Sequence, residues 1–123
     1  LTKEDLVFKG DLSLEKIDIY ELPEGLYVVG DLNLYYSPIK ELPKGLKIRG
    51  DLDLYGSKIE QLPEGLKIER DLNLQYSTMP SLPKGLKVYG DLNIEVSVLS
   101  KLSDEQIYEM IEPGFIEGKI HRQ

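Results

Sequence analysis

The sequence predicts a mostly β solenoid, because a unit of twenty residues is written repeatedly along the chain. Four regular copies begin at residues 22, 42, 62 and 82, and a weaker copy precedes them. A fixed period of this length is typical of solenoids, in which each coil buries its apolar side against its neighbours. Glycine and proline recur inside every copy and would end a helix each time. We therefore expect about five stacked coils, numbered here from the N-terminus.

The apolar positions within each coil predict where the strands lie. Counted from the Leu-Pro dipeptide, apolar residues occupy columns 1, 5, 7, 11, 13 and 18, and two pairs are spaced by two residues. Period-two spacing is typical of a strand with one buried face. We expect one main strand over Asp-Leu-Asn-Leu and a second, shorter one at Leu-Lys-Ile. In the third coil the apolar columns are Leu42, Leu46, Ile48, Leu52, Leu54 and Ile59.

Columns 11 to 22 resemble a known repeat. They read Leu-x-Leu-x-x-Ser-x-Ile-x-x-Leu-Pro, similar to the leucine-rich repeat in its short bacterial form, and the resemblance covers residues 6 to about 101. Units of the form LPxGLxVxGDLxLxxS look like those of phage and bacterial proteins. Serine replaces the usual asparagine, at Ser37, Ser57, Ser77 and Ser97. Column 8 also departs from the repeat, because it holds Val29, Arg49, Glu69 and Tyr89 rather than leucine. These two departures leave both a flat β-solenoid and a curved horseshoe open. The resemblance implies a cytoplasmic protein of a bacterium or of a phage-infected host.

The whole chain, residues 1–123, is expected to form a single repeat domain. Residues 1–21 form a degenerate first coil, in which Thr2–Asp5 resembles a capped helical turn. Residues 22–101 form the four regular coils. Residues 102–123 form a C-terminal cap, where Ser103–Gln106 matches a capping box before a helix over about 104–111. Phe115, Ile116 and Ile120 fold back as a further cap, or Phe115-Ile116 docks a partner.

Composition argues against several classes of function. The net charge is −7, which disfavours nonspecific binding to nucleic acid or to an anionic membrane and permits a partner with a basic surface. There is no cysteine, so a reducing compartment is allowed. The one histidine, His121, lies three residues from the end, and no phosphate loop, nucleophile elbow or zinc spacing is present. We expect no catalytic residue, no cofactor and no metal site.

The outward columns of the main strand are acidic. Aspartate occupies column 10 of every coil, and column 12 is polar, with Asp53 among asparagines. Aspartates stacked about 4.8 Å apart repel each other by on the order of 1 kcal/mol per pair. We expect backbone N–H groups at the adjacent bend, and amide bonds between stacked asparagines, to offset this. The alternative is a carboxylate track that binds calcium or a basic partner. The aspartate column is Asp11, Asp31, Asp51, Asp71 and Asp91.

Four tyrosines interrupt the acidic face at its centre: Tyr35, Tyr36, Tyr55 and Tyr76. Tyrosine supplies rigid amphipathic contact area at interfaces, although stacked aromatic pairs also stabilise sheets. We predict a non-enzymatic module that binds a protein with a basic surface and is a monomer or a weak homo-oligomer. The predicted contact residues are the four tyrosines with Asp31, Asp51, Asp53 and Asp71.

Two further functions stay open at this stage. A regular row of carboxylates can imitate phosphates, so the chain is alternatively an inhibitor that mimics nucleic acid and targets a host defence or DNA-handling protein. The third alternative is a purely structural spacer, or a unit that assembles end to end through its coil edges. A lysine column at 47, 67 and 87 lies beside alternating charges at 24, 44, 64 and 84. We interpret it as a solvated face, because the acids cancel much of its field.

Overall fold

The computed structural model describes residues 6–122, which form two parallel β-sheets joined coil by coil. Each coil contributes one two-residue strand to each sheet, so the prediction of two strands per coil is confirmed. The first sheet consists of β1 (Val7–Phe8), β3 (Tyr27–Val28), β5 (Lys47–Ile48), β7 (Lys67–Ile68), β9 (Lys87–Val88) and β11 (Phe115–Ile116). The second consists of β2 (Leu12–Ser13), β4 (Leu32–Asn33), β6 (Leu52–Asp53), β8 (Leu72–Asn73), β10 (Leu92–Asn93) and β12 (Ile120–His121).

Equivalent residues of successive coils lie directly over one another. Leu32 pairs with Leu52, and Leu52 pairs with Leu72, so the register advances by one repeat at every step. Backbone bonds connect the coils throughout; Leu52 N–H, for example, donates to Asp71 C=O at 2.9 Å. The period read from the sequence is therefore the period of the solenoid, and any side chain that recurs at one column forms a row along the protein axis.

The core is built from the predicted apolar columns. In the third coil Leu52 and Leu54 are fully buried, and Leu42 is the most exposed of the six predicted positions at 6%. The column serines are also buried inside the bend. Ser37 Oγ accepts a bond from Ile39 N–H at 3.2 Å, as expected for a hydroxyl that satisfies a bend amide. Ser57 Oγ is the exception and has no hydrogen-bond partner among the described residues.

The C-terminal cap forms as predicted. Helix α1 spans Asp104–Ile111 and begins with a complete capping box between Ser103 and Gln106. Ile107 and Ile111 are fully buried against the last coil. Strands β11 and β12 then add to β9 and β10 in parallel. Ile116 is only 6% exposed and joins the core, while Phe115 beside it is half-buried.

Two further points concern helices. The helical turn predicted at Thr2–Asp5 lies outside the described residues. Within residues 6–122, no helix has the length and apolar character needed to cross a membrane.

Candidate functional site

The second sheet carries a shallow groove that we call the acidic groove. It lies between the aspartate column and column 12, and its volume is about 370 Å³. The strands β4, β6, β8 and β10 form its floor. The structure brings together all four aspartates predicted from the sequence, and it adds Asp91 and His121 at one end. The polar side chains that line the groove are Asp31, Asn33, Asp51, Asp53, Asp71, Asn73, Asp91, Asn93 and His121.

The aspartate column is held by hydrogen bonds between coils. Asp71 N–H donates to Asp51 Oδ1 at 2.8 Å, and the same bond recurs from each aspartate to the next. Backbone N–H groups do bond these carboxylates, as expected, but each donor belongs to the next coil rather than to the bend of the same coil. The acceptor reaches across to the next coil because coils are only about 4.8 Å apart, within the span of a short side chain. Each carboxylate thus uses one oxygen as part of the scaffold.

The side chains of column 12 bond within their own coil, whereas those of the aspartate column bond to the next coil. Asn33 Oδ1 accepts from Tyr35 N–H at 2.9 Å, and Asp53 Oδ1 accepts from Tyr55 N–H at 3.0 Å. These are local turns of the kind that asparagine and aspartate favour. The predicted amide bonds between stacked asparagines are not present among the described residues. Because the local bond takes the N–H of the column-14 residue, the strand ends after two residues instead of running through Asp-Leu-Asn-Leu.

Glycine before the aspartate allows the coils to approach. A methyl group on Gly50 would overlap Asp31 Oδ1 and lie 2.7 Å from the Gly30 carbonyl carbon. The Gly50 N–H donates to Gly30 C=O at 3.0 Å across the gap. In the fourth coil Arg70 occupies this column, and its N–H has no acceptor among the described residues. Among the four regular coils, only the fourth has a side chain in this column, Arg70, and only there is the backbone bond from this column to the preceding coil missing.

The groove is strongly negative. The outward columns of this face hold eight carboxylates and two cations, Lys16 and Arg70; the carboxylates are Asp11, Asp31, Asp51, Asp53, Asp71, Asp91, Glu15 and Glu95. Desolvation raises the pKa of Asp51, and the charges of Asp31 and Asp71 on either side raise it further. A bond from Asp71 N–H and the charge of Arg70 act in the opposite direction. Burial first, and then repulsion from the neighbouring carboxylates, therefore disfavour ionisation of Asp51.

The end of the column is different because the C-terminal segment closes it. His121 Nε2 lies 2.9 Å from Asp91 Oδ2, and Lys119 N–H donates to Asp91 Oδ1 at 2.9 Å. The hydrogen bond from His121 and then that from Lys119 N–H lower the pKa of Asp91. Two chemically identical residues in one column, Asp51 and Asp91, thus have pKa values displaced in opposite directions.

This contrast gives a prediction for titration. Asp91 is expected to titrate at lower pH than Asp51, and His121→Ala is expected to raise the pKa of Asp91 towards its ordinary value. Because its folded-state pKa is depressed, the bonds of Asp91 stabilise the fold above the ordinary carboxyl pKa, and this contribution is lost as the pH falls through the folded-state value. Carboxyl carbon shifts followed by NMR measure both residues in one sample. Coincident midpoints for Asp51 and Asp91 would contradict the assignment.

The four tyrosines form one cluster along the edge of the acidic groove. Tyr35 and Tyr55 stack with ring centroids 4.8 Å apart and planes within 10°, as their spacing of one period predicts. Tyr36 meets Tyr55 edge-on at 5.8 Å, and Tyr76 meets it at 5.2 Å. Desolvation is the main cause that raises the pKa of Tyr35 and of Tyr55. The tyrosine cluster is thus a neutral, amphipathic border beside the carboxylates.

Within the cluster, exposure separates two roles. Tyr35 and Tyr55 are half-buried in the stack, whereas Tyr36 and Tyr76 are 51% and 50% exposed. Tyr36 and Tyr76 have left-handed backbone, with φ of 56° and 62°, as does the same column in every coil. Gly56 occupies that column between them, and the Tyr36 ring lies over the space its side chain would fill. The missing side chain at Gly56 therefore lets Tyr36 pack down onto the stack.

Sequence reasoning missed one contributor to the acidic groove and one contact of the C-terminal cap. His121 was treated as a terminal residue, yet Gly118-Lys119-Ile120-His121 repeats the register of Gly-Asp-Leu-Asn, and His121 pairs with Asn93. That spacing was a readable signal. Outside the groove, the Tyr89 ring packs edge-on against Phe115 at 5.1 Å. It joins the cap to the last regular coil.

Within residues 6–122, no cluster of three or more histidine, cysteine, aspartate or glutamate side chains is placed to hold a metal ion. The groove offers a row of carboxylate oxygens, an open shape and an aromatic border. Comparison of the chain with protein-family models, curated proteins and solved structures gives no significant match.

Proposed function

We propose that the protein is a non-enzymatic binding module of the leucine-rich-repeat type, whose acidic groove and tyrosine cluster dock a protein with a basic surface. The observation that carries this proposal is that the two oxygens of each carboxylate in the aspartate column have different surroundings. The Oδ1 atoms of Asp31, Asp51 and Asp71 accept backbone N–H groups, while their Oδ2 atoms have no hydrogen-bond partner among the described residues. These aspartates line the groove, and the bonds that their Oδ1 atoms accept hold the carboxylates in place.

Rigid placement of these charges favours binding. A carboxylate fixed by a backbone bond loses little side-chain entropy when a lysine or arginine of a partner contacts its second oxygen. Charge on an open face mainly sets the encounter rate and partner choice, while buried aromatic contacts supply most of the affinity. Within the tyrosine cluster, Tyr36 and Tyr76 have the most surface left to bury. The aspartates therefore steer the partner, and the tyrosines retain it.

The test uses the exposed members of the cluster. The double variant Tyr36→Ala/Tyr76→Ala is expected to weaken partner binding by about 100-fold or more, since hot-spot tyrosines each contribute about 2 kcal/mol. Affinity capture from host cells and mass spectrometry identify the bound protein, and titration calorimetry with that purified protein measures the dissociation constant. Thermal unfolding of the variant is measured alongside, because Tyr36 also packs over Gly56.

The matched control is Tyr20→Ala. Tyr20 is 68% exposed and lies outside the tyrosine cluster, so its removal changes composition in the same way without touching the groove. We expect unchanged binding for this control. Equal binding by the wild type and a folded Tyr36→Ala/Tyr76→Ala variant would refute the proposed site.

A second candidate function rests on the regularity of the aspartate column. A rigid row of carboxylates supports the hypothesis of an inhibitor that mimics nucleic acid. In that case DNA or RNA competes with the chain for the same target, and neutralising Asp31, Asp51 and Asp71 to asparagine abolishes inhibition while Tyr36→Ala/Tyr76→Ala has a smaller effect. Competition titrations with a labelled duplex distinguish this candidate from the first.

A further inference from the structure

The first sheet carries a second charged row, which we call the lysine ladder: Lys47, Lys67 and Lys87. Lys47 pairs with Lys67 and Lys67 with Lys87, in β5, β7 and β9, so the three side chains stack on one face. They line a groove of about 540 Å³ together with Tyr27. None of the three ammonium groups has an ion-pair partner among the described residues. The nearest aromatic contact is Lys67 Nζ, which lies 5.4 Å from the Tyr89 ring centroid.

The lysine ladder and the aspartate column have the same spacing because they belong to the same coils. Both advance by one charge per coil, about 4.8 Å. Three lysines without an ion-pair partner on one sheet match three aspartates with a free Oδ2 on the other. A second copy of this chain keeps register over the full length of the ladder.

We infer that the lysine ladder of one copy docks into the acidic groove of another copy. The contact joins two different faces, so each pair leaves one groove and one ladder free, and the association continues beyond a dimer unless it closes into a ring. This self-association covers the groove used in the proposed function. Self-association and partner binding therefore exclude each other at a given groove, which makes the concentration of the free chain a control on partner binding.

Light scattering on the purified wild type tests this inference with two variants. We expect the mean mass to rise with concentration at low salt and to return to the monomer value of 14.0 kDa at high salt. The first variant removes the lysine ladder: Lys47→Gln, Lys67→Gln and Lys87→Gln. The second neutralises the groove and retains the Oδ1 acceptors: Asp31→Asn, Asp51→Asn and Asp71→Asn.

Each variant alone is expected to stay monomeric, with association weakened by about tenfold or more. An equimolar mixture restores one complementary contact, the intact ladder of the second variant with the intact groove of the first, and is expected to stop at a heterodimer. The asparagine variant has a smaller net charge than the wild type. If repulsion between whole chains controlled association, this variant would associate more strongly than the wild type. Our inference predicts that it associates more weakly. The control Lys44→Gln/Lys84→Gln removes exposed lysines of another column and should associate like the wild type.

A wild type that remains monomeric at every concentration and salt overturns the inference. So does association that both variants retain. The inference rests on the acidic groove of the proposed function, yet the scattering sample contains no partner, so a negative result leaves the proposed function standing. Conversely, the lysine variant is expected to bind the partner at least as tightly as the wild type does, which the calorimetric titration measures.

Discussion

Gly50→Ala is expected to destabilise the protein by about 3 kcal/mol, because it combines overpacking with the loss of bonds between coils. The new methyl would overlap Asp31 Oδ1 and press on the Gly30 backbone at 2.7 Å. Relieving these contacts shifts the third coil away from the second and breaks the bond from Gly50 N–H to Gly30 C=O, the bond that is missing at Arg70. Urea denaturation followed by circular dichroism measures the change.

The control for this substitution is Gly65→Ala. Gly65 has left-handed backbone, with φ of +74°, but a methyl there meets nothing within 4 Å. The expected cost is about 1 kcal/mol, the conformational penalty alone. Suppose that the two variants lose the same free energy of unfolding. Gly50, at column 9, would then be needed for backbone conformation and not for close approach of the coils.

Asp51→Ala and Asp51→Asn are expected to change stability in opposite directions. Both remove the repulsion from Asp31 and Asp71, a gain of about 0.5–1 kcal/mol after screening by water and salt. Only alanine also removes Oδ1, the acceptor of Asp71 N–H, which costs about 2 kcal/mol for a charge-assisted bond. We therefore expect Asp51→Asn to stabilise the fold slightly and Asp51→Ala to destabilise it by about 1 kcal/mol.

The pH dependence of stability distinguishes the effect of the Asp51 charge from that of the hydrogen bond that Asp51 accepts. The pKa of Asp51 is raised in the folded state, so the folded protein binds more protons than the unfolded chain between the two pKa values. Stability therefore falls as the pH rises through that window, and the advantage of Asp51→Asn over the wild type grows with it. Denaturation of both proteins across this range measures the difference. An advantage that is independent of pH, or an asparagine variant as unstable as the alanine variant, would contradict this account.

The overall architecture was predictable because it depends on spacing alone. Leu52 and Leu54 alternate with polar residues, which indicates a buried strand face, and the twenty-residue period places each over its equivalent in the next coil. Helix α1 was predictable for a similarly local reason, since Ser103 and Gln106 complete a capping box. Such features require no knowledge of how far apart the coils lie.

The hydrogen bonds of the candidate site were not predictable in the same way. Asp51 and Asp53 lie two residues apart in similar surroundings, yet Asp53 bonds its own coil at Tyr55 N–H and Asp51 bonds the next coil at Asp71 N–H. The choice depends on backbone direction at the bend and on the distance between coils. The packing of Tyr36 over Gly56 depends on the left-handed backbone of Tyr36. That conformation usually indicates glycine, so a tyrosine at this position gives no sign of it in the sequence. The sequence therefore indicated which residues share the groove, but not which of their atoms remain free.

The most direct test of the account is amide hydrogen exchange measured by NMR at Arg70 and Asp71. The central claim is that each aspartate carboxylate accepts the N–H of the next coil and thereby forms part of the scaffold of the acidic groove. It predicts slow exchange at Asp71, whose N–H lies 2.8 Å from Asp51 Oδ1, and fast exchange at its neighbour Arg70, whose N–H has no acceptor among the described residues. Exchange at Asp71 as fast as at Arg70 would contradict the claim.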